Sequence, residues 1–187
     1  LFNKLEQIAV LCKEHEVDAV LGAGDFFALK SASRNSHQLV RRLILAFQSF
    51  GCPVFGVIGN HDIAFAREDS VSRQPCGVLE AAGVLHLLIS LQGDTVLLTD
   101  KKDSSIQVRI GGYPYSTSFD LPEAQKKADR LGARYQVLLF HLLASKTSGD
   151  LFGEKIYTYP SFLSFDADVF VFGHWHKDQG IKWYESP

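Results

Sequence analysis

The sequence predicts a single α/β domain with a mixed sheet, on two observations. Helical and strand periods of hydrophobicity alternate along the chain, and one stretch reads as an antiparallel hairpin. Leu5, Ile8, Ala9 and Cys12 recur at helical spacing and lead into a short apolar strand, Val17 to Leu21. After a polar loop, Leu39, Val40, Leu43, Ile44, Phe47 and Phe50 mark a long amphipathic helix, with Gly51 expected as its C-cap. Pro53 to Ile58 is the next strand, and Gly77 to Ala82 a short helix. Thr95–Leu98 and Ile106–Ile110 flank a polar turn at Lys101–Ser105, which makes the hairpin and hence the mixed sheet. Pro122 marks a helix start, with Ala124, Ala128 and Leu131 on one face. The strands Gln136–Phe140 and Asp168–Phe172 close the order. With no repeat, low-complexity stretch or linker, residues 1–187 read as one domain.

Composition excludes several classes. A chain of 187 residues, 46% hydrophobic and 21% charged, is long enough to bury a sizeable core and is not a disordered tail. The formal charge of −2 gives no whole-protein attraction to nucleic acid, so any such binding has to be local. Cys12, Cys52 and Cys76 are odd in number and widely spaced, which argues against a disulfide framework or a thiolate zinc site and for a reducing, cytoplasmic setting. No apolar run approaches the roughly 20 residues that span a bilayer, and the first residues do not make a signal peptide; a soluble protein without a membrane partner is expected. The chain starts at Leu1, contains no Met and stops at Pro187 directly after an apparent strand, so it reads as a fragment.

The chemistry lies in the residues just past the end of each apolar strand. Val20-Leu21-Gly22-Ala23-Gly24 delivers Asp25; Val57-Ile58-Gly59 delivers Asn60-His61-Asp62; Leu139-Phe140 delivers His141; Val171-Phe172-Gly173 delivers His174-Trp175-His176. Ligands of open α/β sheets bind outside the carboxyl ends of the strands, so these residues are expected to converge on one crevice. Gly24, Gly59 and Gly173 stand where the backbone has to turn sharply or approach another group closely. Singly, each has an ordinary explanation: a lone strand-end histidine such as His141 is more often a hydrogen-bonded structural residue, and Asp25 or Asn60 can serve a turn. Four strand ends in succession, the last carrying two histidines in Gly-His-x-His, are not explained by packing. His15, His37 and His86 have no such company and read as surface or core residues.

Gly24-Asp25, Gly59-Asn60-His61-Asp62, the isolated His141 and Gly173-His174-Trp175-His176 resemble, in order, four of the five sequence blocks of the calcineurin-like metallophosphoesterases, over nearly the whole chain. Gly24-Asp25-Phe26-Phe27, followed by Lys30 and Ser33-Arg34, looks closest to the nuclease subunits of double-strand-break repair complexes and their phage relatives. The resemblance implies two mixed β-sheets packed face to face and flanked by helices. It implies two divalent metal ions, Mn²⁺ foremost, with Fe, Zn²⁺ or Mg²⁺ as alternatives; mixed imidazole, carboxamide and carboxylate donors argue against a soft-thiolate metal. Carried over by position, Asp25 bridges both ions, Asn60, His141 and His174 complete one, and His176 binds the other. His61 and Asp62 are the candidate catalytic residues, with His61 the acid or charge stabiliser near the leaving oxygen rather than a ligand.

The implied activity is hydrolysis of phosphodiester bonds, as a DNA exonuclease or endonuclease. Alternatives are a phosphoesterase for small-molecule or phosphoprotein substrates, and a catalytically weakened binding module on the same fold. DNA as substrate, a homodimer and an ATPase partner are implied by the nuclease resemblance alone. Two departures from the family pattern stand out. The first strand and the first block, an Asp-x-His that supplies two ligands to the His176 ion, are absent from the sequence, which begins in the helix expected to come after them. Ala28 stands where the family often has an Asp or His that orients the catalytic histidine.

Overall fold

The computed structural model describes residues 2–63, 68–90, 93–100, 102–175 and 180–184. In its N-terminal half, α1 (Phe2–Glu14), α2 (His37–Gln48) and α3 (Pro75–Ala81) alternate with β1 (Val20–Gly22), β2 (Val54–Val57) and β3 (His86–Leu88). The three strands pair in the order β1-β2-β3, all parallel, with Leu21 opposite Phe55 and Phe55 opposite His86. In the C-terminal half, β4 (Asp94–Thr99) and β5 (Gln107–Tyr113) form the expected hairpin, with Val96 opposite Ile110. Then come α4 (Leu121–Lys127), β6 (Tyr135–His141), β7 (Leu143–Ser145), β8 (Gly149–Leu151), β9 (Glu154–Thr158) and β10 (Val169–Gly173). They build a mixed sheet in the order β10-β6-β5-β4 and a small third sheet, β7-β9-β8.

The α/β class and the flanked sandwich are what the structure shows. Phe55, Val57 and Leu88 of the parallel sheet meet Ile110 and Leu139 of the mixed sheet in one buried cluster, so the two sheets pack face to face. Ala9 and Cys12 of α1, Val40, Leu43 and Phe47 of α2, and Cys76 and Leu79 of α3 cover the outer side of the parallel sheet. Ala124 of α4, Phe162, Phe165 and Tyr157 of β9 cover Leu138 and Phe140 on the outer side of the mixed sheet. Because both faces of each central strand are buried, these strands read as continuous apolar runs. The register has the same cause. Leu139 and Phe140 are both fully buried, on opposite faces of β6. At ~1.5–3 kcal/mol per buried side chain, a one-residue slip that swapped their faces and displaced His141 is strongly disfavoured.

Local detail departs from the sequence expectation at several points, among them β3, which was not expected, and Leu131, which lies past the end of α4 and is exposed. Pairing of β1 begins at Val20 rather than Val17, because the Val17 N–H is still donated to the Cys12 carbonyl at the end of α1 (3.0 Å). Ser36 caps α2, its hydroxyl accepting from the Leu39 N–H, but the helix closes before Gly51: Ser49 and Phe50 donate to the Ala46 and Phe47 carbonyls in a tightened last turn. Gly51 then turns the chain toward β2 at φ +74°. One of the two main sheets is purely parallel among the described residues, since the hairpin joins only the other. The third sheet was not expected, because β7 and β8 are three residues each and β8 is exposed throughout, leaving no periodicity to read. Among the described residues no helix is long and apolar enough to cross a membrane.

Candidate metal centre

At the carboxyl end of β1 the chain turns through Gly24 (φ +88°) and Asp25 (φ 56°), both left-handed. A side chain at Gly24 would collide with the His141 ring, so glycine is required there for conformation and for space. The turn brings the Ala23 carbonyl within 2.6 Å of His141 Nδ1 at the end of β6. Beyond β2, the Asp62 carboxylate holds the loop in shape. It accepts the Gly59 N–H through Oδ2 and the Phe27 N–H through Oδ1, each at 3.0 Å, and so ties the two loops of the parallel sheet together. Gly59 is glycine for close approach, since a Cβ there would enter the Asp25 carboxylate.

Four of the five expected ligands come together on this platform. His141 Nε2 lies 3.4 Å from Asp25 Oδ2, 3.2 Å from Asn60 Oδ1 and 3.2 Å from His174 Nδ1. Asp25, His141 and His174 have their ligating atoms all within 4.8 Å of one another. His176 lies outside the described residues. His174 comes directly after β10 with φ 84°, a region costly for a residue with a Cβ and one that clusters at functional sites.

Hydrogen-bond logic assigns the protons. A carbonyl oxygen only accepts, so His141 Nδ1 donates to Ala23 and its Nε2 holds a lone pair. A carboxylate only accepts, so His174 Nε2 donates to Glu154 Oε2 at 2.5 Å and its Nδ1 holds a lone pair. In neutral imidazoles those lone pairs, the Asn60 carbonyl and the Asp25 carboxylate then face one another with no hydrogen between them. Such a group of acceptors is relieved by a cation at its centre.

The two candidate catalytic residues occupy different environments. His61 lies beside the centre, its N–H donated to Asp25 Oδ1 at 2.9 Å and its ring Nδ1 2.8 Å from the Ala28 carbonyl oxygen. That carbonyl fixes the Nδ1–H tautomer, so a backbone atom of Ala28 does what the resemblance assigns to an acidic or histidine side chain. Asp62 is buried beneath the loops, only 1% exposed, with its oxygens on backbone N–H groups and the Cys76 thiol. Burial raises its carboxyl above the usual range, despite the amides that favour the charge.

Sequence reasoning missed Glu154 and Tyr115. Tyr115 donates its O–H to Glu154 Oε1 at 2.9 Å, and its ring stands 5.6 Å from that of His174. Burial, reinforced by the Glu154 carboxylate, pushes the Tyr115 phenol up to about 12. Glu154 opens a short strand instead of ending an apolar one, and Tyr115, two residues past β5, is not a metal-ligating residue type, so the strand-end reading passed over both.

A flanked double sheet with a carboxylate, a carboxamide and two imidazoles at its carboxyl edge defines a metal-dependent phosphoesterase. The chain belongs to the calcineurin-like phosphoesterases, whose family profile matches residues 1–178. No curated protein matches it.

Proposed function

We propose that this phosphoesterase hydrolyses phosphodiester bonds of DNA, as a nuclease of the repair type. The observation that carries the metal-dependent part is the convergence of lone pairs from Asp25, Asn60, His141 and His174 with their outward N–H groups already committed to Ala23 and Glu154. Their donor set fits Mn²⁺ and also Fe, Zn²⁺ or Mg²⁺. Asp25 and His176 would contribute to a second ion. Bound there, divalent cations supply Lewis acidity toward phosphoryl oxygens and water activation near neutral pH.

The remaining work falls to the chain's own residues. With Nδ1–H held by the Ala28 carbonyl, the His61 imidazolium gives its Nε2 proton to the leaving oxygen and is left as the neutral Nδ1–H tautomer. Asp62 acts as a positioning residue that holds Gly59 and Phe27, and through them both ligand-bearing loops. DNA is favoured as substrate because the loop that presents the Ala28 carbonyl to His61 continues through Lys30 and Arg34, both exposed beside the centre in sequence. Asn35 clips that loop shut through the Leu29 and Ser31 carbonyls, giving the cations a fixed base. A homodimer and an ATPase partner accompany this reading by resemblance, and three widely spaced cysteines, odd in number, support a cytoplasmic setting.

The test is Mn²⁺-dependent hydrolysis of single- and double-stranded DNA beside bis-p-nitrophenyl phosphate. Cleavage of DNA that stops on chelation is the expected result. Hydrolysis of small esters or phosphoproteins without DNA cleavage would move the substrate class. Metal binding without any hydrolysis would favour a binding module.

A further inference from the structure

We infer that Glu154 is a positioning residue of the metal centre, holding His174 so that Nδ1 rather than Nε2 faces Asp25, Asn60 and His141. The inference rests on the metal-centre reading above and adds residues to it that lie outside every strand-end motif. An imidazole has two nitrogens, and rotation about its ring bond can present either one to a cation. His174 sits just past the end of β10 in a left-handed conformation (φ 84°), where the backbone alone does not choose between them. Glu154 makes the choice, because its Oε2 accepts from Nε2 at 2.5 Å and leaves the Nδ1 lone pair 3.2 Å from His141 Nε2.

Glu154 is itself held. Its other oxygen accepts the Tyr115 O–H at 2.9 Å, so both carboxylate oxygens are engaged and the side chain is fixed at both ends. Tyr115 also walls the site, its ring 5.6 Å from His174 and 6.2 Å from His141. The carrier is β9, centre strand of the third sheet, whose Tyr157 packs into the core beneath the mixed sheet. This gives the small sheet a purpose: it delivers a carboxylate to the outer nitrogen of a ligand histidine. A carboxylate so placed fixes the tautomer and makes the imidazole a better donor, an effect on metal affinity of about 10–100-fold.

The experiment is Mn²⁺ titration by calorimetry of the wild-type protein and the variants Glu154→Ala, Glu154→Gln, Tyr115→Phe, His174→Ala and His141→Ala. Nuclear magnetic resonance of ring nitrogens in the Zn²⁺-loaded wild type and Glu154→Ala accompanies it. Glu154→Ala should bind Mn²⁺ about 10–100-fold more weakly. Glu154→Gln, which keeps an acceptor but not the charge, should recover part of that loss, and Tyr115→Phe should cost less than either. Zn²⁺-loaded wild type should show His174 metal-bound at Nδ1 and protonated at Nε2, with a second, Nε2-bound population in Glu154→Ala. Wild-type affinity in Glu154→Ala, with affinity lost in His141→Ala, overturns the inference and leaves the metal centre standing. Loss in both Glu154 variants as deep as in His174→Ala overturns it too, because Glu154 is then a ligand. Unchanged affinity in His141→Ala removes the metal-centre reading itself.

Discussion

The two halves of the candidate centre are braced by different kinds of contact. On the parallel-sheet side, backbone groups hold the functional residues: Asp62 grips the Gly59 and Phe27 N–H groups, Asp25 accepts the His61 N–H, and the Ala28 carbonyl orients the His61 ring. On the mixed-sheet side, His174 is held by the Glu154 side chain, and Glu154 in turn by Tyr115. A backbone brace persists whatever side chain the bracing residue carries, whereas a side-chain brace disappears with one substitution. Side-chain changes at Ala28, whose carbonyl is the brace, are therefore expected to be tolerated, whereas changes at Asp62 and Glu154, whose carboxylates are the braces, are not.

The largest expected effect comes from a candidate ligand that faces both halves. His141→Ala removes the nitrogen that faces Asp25, Asn60 and His174, and should weaken Mn²⁺ binding beyond the ~10–100-fold of an outer partner while lowering turnover on every substrate. Metal titration beside rates on DNA and on bis-p-nitrophenyl phosphate checks this. His61→Ala should separate the two properties: Mn²⁺ affinity nearly unchanged, DNA cleavage down ~10²–10⁴-fold, and less loss with a p-nitrophenolate leaving group, which needs no proton. If His61→Ala loses metal as His141→Ala does, His61 is a ligand and not the acid.

Asp62 tests the carboxylate brace of the parallel-sheet loops. Asp62→Ala orphans two buried N–H groups and should cost ~2–4 kcal/mol of stability, read by denaturant unfolding. The pH dependence has a definite sign. Burial raises the folded-state carboxyl above its ordinary value of 3.8, so the folded protein holds this proton to higher pH than the unfolded chain. Asp62 therefore contributes a fall in stability as pH rises from the ordinary value through the raised one. Asp62→Asn should lose that fall when metal-free wild type and variant are compared across the window. The smallest effect is expected at Ala28. Ala28→Gly retains the carbonyl, and the exposed side chain is dispensable, so DNA cleavage should stay within about twofold of wild type, the scale of a ±0.5 kcal/mol surface change. A loss approaching that of His61→Ala would mean that the side chain, not the carbonyl, matters there.

Much of this was legible because hydrophobic period and turn chemistry are local. The helices α1, α2 and α4, the hairpin and the strands β2, β6 and β10 were read from apolar spacing and from Pro122 at a helix start. The same apolar runs mark where each main strand ends, and so nominated Asp25, Asn60, His141 and His174 as neighbours although they are spread across most of the chain. Asp62 was legible as a residue of the Gly59–Asp62 block but not as a buried brace, because burial is a property of what packs above it.

By itself the sequence determined the α/β class, the order of the principal strands β1, β2, β4, β5, β6 and β10, and the side chain that each turn presents at the carboxyl edge, since all of these depend on residues a few positions apart. Only the tertiary structure decided which nitrogen each histidine presents, because the deciding acceptors are remote: the Ala23 carbonyl for His141 across 118 positions, and Glu154 for His174 across 20. It also decided that the Ala28 carbonyl orients His61 and that the unforeseen small sheet carries Glu154. A lone pair has direction, and direction comes from the packing of distant segments rather than from residue type.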